Sequence, residues 1–425
     1  MQTYDVVISG GGMVGATLGA ALAQQSGGAL RILIVEKEPP SVAPPSTFDV
    51  RSIVLSRSTV RFLYQNGWWS ACRPMATPIE RVMVRSGRQF GAVDFSASEA
   101  HVPALGYVMG ARDLGDRLWA AVAAQPSLTV WSGAQISTTQ PIRRGWRVTV
   151  QHAGSTEVLD TRLLVVAEGA CSTCLTQLGI HTTVHRYQKS ALVCGLEAVS
   201  LAPRVATEQF VGQLGSVAVL PRGAGRAGVV LATTPEQAAQ WLNAPAACFM
   251  KELSLLLGET VSRLGLCTAR AIYPLCMTYA QETIRAGLVV VGNAAQTVHP
   301  IAGQGFNLAV RDVAALCAHM NQVLASGGAC AEANNGALLA LDRLQSYETQ
   351  RKTDRLRIRQ FCHTLLKLFS QSRADVAIGR QLGMLLFDVV PSVKTALAHS
   401  VLAPRTGPVS PLCSLSPSCE NGALG

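Results

Sequence analysis

The chain opens on a short apolar run, Tyr4-Asp5-Val6-Val7-Ile8-Ser9, and passes through Gly10, Gly11 and Gly12 into MVGATLGAALAQQ. A run this short, apolar and β-branched predicts a buried strand. The segment after it predicts a helix with alanine and glycine on its packing face, and RILIVE, Arg31 to Glu36, predicts the next strand. Strand, helix and strand make a β-α-β unit, whose first turn is where ligands bind in doubly wound sheets.

Further along, a Pro-rich stretch from Pro39 to Pro45 reads as a surface loop, and Ser58 to Cys72 as a helix. Pro78 to Asp94 reads as strands turning at Ser86-Gly87 and Gly91, followed by a helix over Leu114 to Ala124. Alternation predicts strands over Trp146 to Val150 and Leu163 to Ala167. From His181 to Thr278 most of the pattern is strand-like, as in Val217 to Leu220 and Gly228 to Ala232, broken by Pro and Gly. A buried strand returns at Leu288 to Val291, then a helix over Gly305 to Leu324 and a long amphipathic helix over Asp342 to Ser370. After Ala403 the composition shifts to Pro, Ser and Gly, which predicts a poorly ordered tail.

The fold class expected is therefore α/β: a Rossmann-type dinucleotide domain interleaved with an antiparallel-sheet substrate domain, then C-terminal helices. The boundaries read 1–75, 105–180 and 280–330 for the first, 76–104 and 181–279 for the second, 331–403 for the helices and 404–425 for the tail. At 425 residues the chain is long enough for two such domains. With 48% hydrophobic residues it can bury a large core. A net charge of +10 favours anionic partners: a dinucleotide, acidic lipid or nucleic acid. No nucleic-acid module accompanies the charge, so that partner is not expected. The 12 cysteines follow no framework of spacings and read as reduced thiols of a cytoplasmic protein. The Cys171/Cys174 pair lacks a second pair or a His partner, so no metal is expected. The opening residues show no secretory signal, and no apolar run of about 18 residues predicts a membrane span.

Two glycine-rich segments carry the chemistry. Gly10, Gly12 and Gly15 form G-x-G-x-x-G between strand and helix. The first allows the tight turn, the second lets backbone approach a pyrophosphate, and the third lets helix and strand pack. Glu36 closes the next strand, where a carboxylate accepts from a ribose hydroxyl. This combination predicts an adenine dinucleotide. The second segment, Gly292 to Asp312, also follows a buried strand, and Pro300, Gly303, Gln304 and Gly305 turn into a helix at about Phe306. Its free N–H groups suit an anion or a polarised ring edge. Two such loops far apart in sequence suggest one long ligand held at both ends, and FAD has that length. His299 is open to two readings, a general base or a structural histidine held in the turn. Asn307 reads as a helix-end hydrogen-bonder.

Three blocks, ISGGGMVGATLGAALA with Glu36, LLVVAEGACS (Leu163 to Ser172) and VVVGNAAQTVHPIAGQGFNLAVRDVAAL (Val289 to Leu316), resemble the aromatic-ring flavin monooxygenases of the para-hydroxybenzoate hydroxylase type. The narrower resemblance is to the ubiquinone-biosynthesis hydroxylases, and the Asn293 and GQGFNL wording looks like their branch acting on 2-polyprenyl-6-methoxyphenol. Lesser matches are Phe48 to Ser56 and Tyr273 to Ala280. The resemblance implies an FAD enzyme that uses NAD(P)H and O2 to hydroxylate a polyprenyl phenol, with other proteins of the pathway as partners. It implies that Gly10, Gly12, Gly15 and Glu36 hold the ADP half, that Arg51 and the stretch around Arg112 touch the cofactor, that Asn293 lies near the ribityl chain, and that Pro300 to Asn307 lies beside the isoalloxazine. No catalytic side chain is assigned.

The pattern departs from the family at Glu168-Gly169, where Asp-Gly is usual and is implicated in holding FAD and NAD(P)H, and at Leu175, where Arg is common. The extra methylene of Glu168 costs about 1–3 kcal/mol where a tight site cannot adjust. These two changes motivate the rival readings of a flavin reductase or a non-catalytic FAD-binding subunit. One more run stands out. RKTDRLRIR, Arg351 to Arg359, reads either as a solvated helix face or as a basic surface that touches anionic lipid at the inner face of a membrane.

Overall fold

The computed structural model describes residues 2–38, 51–86, 92–198, 203–212, 215–258, 264–266, 270–325 and 341–370. The Pro-rich stretch, the Gly87 and Gly91 turns, Phe48 to Val50 and everything past Ser370, including the expected tail, lie outside those residues.

The first sheet is built on five parallel strands. In spatial order they are Leu288–Val290, Ser155–Val166, Gln2–Ser9, Ile32–Glu36 and Leu128–Ser132. Antiparallel strands Gly145–His152 and Gln135–Ile142 extend it from Ser155–Val166. Val6, Val7 and Ile8 are wholly buried because helices cover one face and further apolar residues the other. Val6 and Ile8 point into the core beneath helices Met13–Gln25 and Gln304–Ala325, while Val7 points into a second core with Leu33, Val148 and Leu164. A strand buried on both faces needs an unbroken apolar run, which is what the opening residues supply.

The second sheet has nine strands among the described residues. Its centre is the long strand Thr182–Ala198, flanked by Ala271–Ala280 and Arg226–Thr233, and continued by Ser216–Pro221, Val205–Phe210, Arg81–Ser86 and Ala92–Ser96. The sheet is mixed rather than antiparallel throughout, since Val205–Phe210 runs parallel to Arg81–Ser86. The two belong to segments separated by much of the first sheet, so no hairpin dictates their relative direction.

Its two faces differ. Leu192, Cys194, Val217, Val219, Val229 and Leu231 pack against Trp241, Phe249, Leu253 and Leu257. Those four come from helices Pro235–Asn243 and Ala246–Leu257, in a region expected to be mostly strand. The missed signal is Thr234 followed by Pro235: the Thr234 hydroxyl accepts the Gln237 N–H at 3.2 Å, capping a helix that has proline in its first turn. The alternate residues Ala191, Val193, Ala218, Leu220, Val230 and Ala232 face a cavity.

A three-stranded sheet of Ser52–Ser56, Gly106–Gly110 and Thr77–Ile79 lies in the chain between segments of the two larger ones. The expected helix over Ser58 to Cys72 is two helices, Arg57–Gln65 and Trp69–Cys72, divided at Gly67, whose φ of 74° is left-handed. The C-terminal helix Leu341–Ser370 packs on Gln304–Ala325.

Candidate active site

The first glycine turn fits its helix against its strand with no room for side chains. Gly10 has φ 99°, and a Cβ there would lie 2.6 Å from the Ala167 carbonyl oxygen. A Cβ on Gly15 would meet the Gly10 carbonyl oxygen well inside contact distance. Gly12 is different: nothing lies within 4 Å of the Cβ position, and it borders open cavity. That free approach at a helix N-terminus, where N–H groups and dipole favour negative charge, is what a pyrophosphate needs. Glu36 Oε2 accepts the Gly11 N–H, and Oε1 accepts the Glu38 N–H at 2.9 Å. The carboxylate is thus fixed at the end of its strand and borders the same cavity.

The second glycine turn meets the first. Gly292, at φ 64°, lies so close to Val14 that a Cβ would come within 3.1 Å of that side chain. Asn293, Pro300, Gly303, Gln304, Gly305 and Asn307 all border the cavity that Gly10 and Gly12 border. Asn307 is wholly buried and uses its whole amide. Oδ1 accepts Ser56 N–H at 2.8 Å and Thr59 Oγ1–H at 2.7 Å, while Nδ2 donates to Val54 O and Gly303 O, each at 2.8 Å. It is a clamp between two chain segments far apart in sequence. His299 is structural. Ile301 N–H donates to Nδ1 at 3.2 Å, so the proton resides on Nε2. Burial first, then the nearby Lys189 charge, pushes its pKa down to about 4. A neutral ring whose basic nitrogen already accepts an N–H is no general base.

The cavity between these turns and the second sheet is about 1180 Å³. Ordinary small-molecule sites span about 300–1,000 Å³, so there is space for a dinucleotide and a second molecule. Its nucleotide end is walled by backbone and polar groups at Ser9, Gly10, Gly12, Glu36, Arg51 and Glu168. Its far end is walled by Val82, Val84, Phe95, Phe210, Phe361 and Leu365. The Ser52 hydroxyl is buried beside the cavity and has no hydrogen-bond partner among the described residues, as expected where a polar ligand would supply one. The residues present therefore fit FAD: Gly12 and the N-terminus of Met13–Gln25 could hold the pyrophosphate, Glu36 the ribose and the 300–307 turn the ring system.

Glu168 is committed to its own neighbours. Oε1 accepts from Ser9 Oγ at 2.5 Å and Cys174 Sγ at 2.9 Å; Oε2 accepts from Ser172 Oγ at 2.8 Å and Cys174 N at 3.0 Å. Burial pushes its pKa upward, but these donors outweigh burial and hold it below the ordinary carboxylate value. The added methylene lets the carboxyl reach the start of the short helix Thr173–Gln177, where Leu175 is buried in the core beneath the sheet. Gly169 borders the cavity beside it.

Two expectations shift. Arg112 is exposed on helix Ala111–Ala123 and is not among the cavity-lining residues, whereas Arg51 is. The run from Arg351 to Arg359 is solvated only in part. Arg351 and Arg355 are buried and share Asp312, at 2.6 and 3.2 Å. Arg355 also reaches Glu348 at 2.9 Å and the Tyr347 hydroxyl at 3.1 Å. Burial would lower the Arg355 pKa, but the Asp312 charge and its neighbours more than reverse this. Arg359 stacks over Tyr279 at 4.1 Å, leaving Lys352 and Arg357 exposed. No helix among the described residues is long and apolar enough to cross a membrane.

This architecture around one long cavity is that of the FAD-dependent monooxygenases. The p-nitrophenol 4-monooxygenase PnpA from Pseudomonas putida DLL-E4 shares the fold, with a TM-score of 0.75 at 15% identity over 95% of this chain and 100% of that one. The family described as FAD binding domain matches residues 3–352, and the chain belongs to it; FAD is its cofactor. Among curated relatives, the ubiquinone hydroxylase UbiL of Rhodospirillum rubrum is 27% identical over 96% of this chain and 92% of its own length. The 3-demethoxyubiquinol 3-hydroxylase of Escherichia coli is 28% identical over 90% and 94%.

Proposed function

We propose that the protein is an FAD-dependent aromatic monooxygenase of ubiquinone biosynthesis that converts a 2-polyprenyl-6-methoxyphenol to the benzoquinol with NAD(P)H and O2. The observation that carries this reading is the single cavity joining a dinucleotide turn to an apolar sheet face. Bound there, FAD would supply the redox and oxygen chemistry. The protein's own contribution is binding, orientation and exclusion of water. Gly12 and the helix start would hold the phosphates, Glu36 the ribose, and the Asn307 clamp would fix the 300–307 turn. The valine, phenylalanine and leucine wall would keep water from the reacting ring and receive the prenyl tail.

A visible spectrum of the purified protein tests the cofactor: no flavin, and none taken up on adding FAD, contradicts the reading. Quinone-intermediate profiling in cells lacking the protein tests the step, with the 2-polyprenyl-6-methoxyphenol expected to accumulate. The Escherichia coli relative is named for another ring position, and accumulation of a demethoxyquinol would assign that step instead. NAD(P)H oxidation stimulated by a phenol, with hydroxylated product, excludes the reductase and the non-catalytic subunit.

A further inference from the structure

The cavity face of the second sheet is apolar at nearly every position. Strand period places Ala206, Glu208 and Phe210 on it, beside Ser216, Ala218 and Leu220 of one neighbouring strand and Val82 and Val84 of the other. Glu208 stands directly opposite Ala218 on one side and Val84 on the other. It is the one carboxyl of this sheet among the described residues that line the cavity, and Ser216 is its hydrogen-bond partner. Its partner Ser216 is neutral and single, whereas Asp312 pairs with arginines and Glu168 with a ring of donors.

The geometry points to Glu208 as the group that binds the phenolic hydroxyl of the substrate and accepts its proton. This rests on the function proposed above. The O–H bond breaks, the proton passes to a Glu208 carboxylate oxygen, and the electron pair stays on the phenol oxygen and spreads to the ortho and para carbons. That enriches the carbon that receives oxygen, with O2 and NAD(P)H supplying the oxygen atom and two electrons. When the hydroxylated carbon loses its hydrogen as a proton and the ring becomes aromatic again, the carboxylic acid returns its proton to the ring oxygen.

The surroundings suit the task. Burial raises the Glu208 pKa to about 7, offset in part by Ser216. Arg81 and Arg85 alternate to the other face of their strand. The other titratable groups bordering the cavity are Glu36, Lys37, Arg51, Glu168, Cys171, Tyr273 and His299; Lys189, its pKa lowered by burial, lies near His299, and the thiol of Cys362, raised by burial, lies on the helix that carries Phe361. Glu36 and Glu168 are committed to donors at the nucleotide end, which leaves Glu208 as the carboxyl on the substrate side.

The test uses the FAD-loaded enzyme and equilibrium dialysis with 2-methoxyphenol, against 1,2-dimethoxybenzene, which lacks the hydroxyl. Wild type is expected to bind 2-methoxyphenol roughly tenfold more tightly at pH 8 than at pH 6, as the carboxylate ionises, and to bind the ether equally at both. Glu208→Gln, with normal flavin content, is expected to bind the phenol without pH dependence and to lose phenol-stimulated NAD(P)H oxidation. The assignment is overturned if the variant keeps the wild-type pH dependence. It is also overturned, with no variant needed, if the ether shows the same dependence as the phenol. Absence of any phenol binding by flavin-loaded wild type sinks the proposed function itself.

Discussion

The two ends of the cavity are built on different principles. At the nucleotide end the first sheet presents the tips of its strands, and the contacting groups are backbone N–H groups, a strand-end carboxylate and glycines whose missing side chains make the space. At the far end the second sheet presents its face, and the wall is made mostly of side chains from alternate strand positions, with Phe361 and Leu365 added from the C-terminal helix. Backbone recognition suits a ligand whose charge is invariant; side-chain recognition can be changed one residue at a time without altering the fold. On the function proposed above, the first end would hold the cofactor and the second would select what the enzyme acts on.

The sharpest way to break this contrast is at Gly12. Gly12→Val is expected to leave circular dichroism unchanged, because its Cβ meets no protein atom, yet to abolish flavin retention. Gly15→Val should instead prevent folding, since its Cβ runs into the Gly10 carbonyl. Normal flavin content in Gly12→Val would refute the backbone account. Next in size comes the ion network behind the cavity. Asp312→Ala leaves Arg351 and Arg355 buried without their shared carboxylate, and such losses cost about 3–5 kcal/mol; denaturant unfolding reads this directly, with flavin content lowered only through instability.

A smaller, pH-dependent effect belongs to His299. Its folded pKa of about 4 lies below the unfolded 6.5, so between those values the unfolded chain holds the extra proton. Stability is therefore complete above pH 6.5 and falls by about 3 kcal/mol as pH drops to 4. His299→Gln should flatten that slope; an unchanged slope would show that another group carries it. Smallest in stability, though not in consequence, is Ala218→Phe at the far wall, which is expected to keep flavin content and to weaken phenol binding by filling the cavity. Loss of flavin in that variant would mean the two ends are not separable.

What could be read from the sequence follows the same divide. Gly10, Gly15 and Glu36 were legible because backbone geometry demands those residue types at that spacing. Asn307 was legible as a helix-end hydrogen-bonder, though not that its partners lie on a strand near residue 55. Glu208 was not noticed, because one charged residue in an alternating strand reads as the solvent side; only the register against Ala218 and Val84 shows that this side is the cavity. The basic run was legible only in part, for a related reason. Charge on a helix looks solvated until its counter-ion is known, and Asp312 lies on another helix. Pairing of distant strands and helices is a property of the assembled sheet, and no local spacing encodes it.

The Asn307 clamp has a consequence for synthesis. The strand it grips is synthesised close behind the phosphate turn and Glu36. The gripping amide, and the parallel strand Leu288–Val290 of the first sheet, follow more than two hundred residues later. A nascent chain thus carries a half-built nucleotide turn while those residues are made, with its apolar strands exposed to wrong partners. Flavin capture is then a late event, and shortage of cofactor would be felt as a defect in the finished chain's maturation rather than in its early folding.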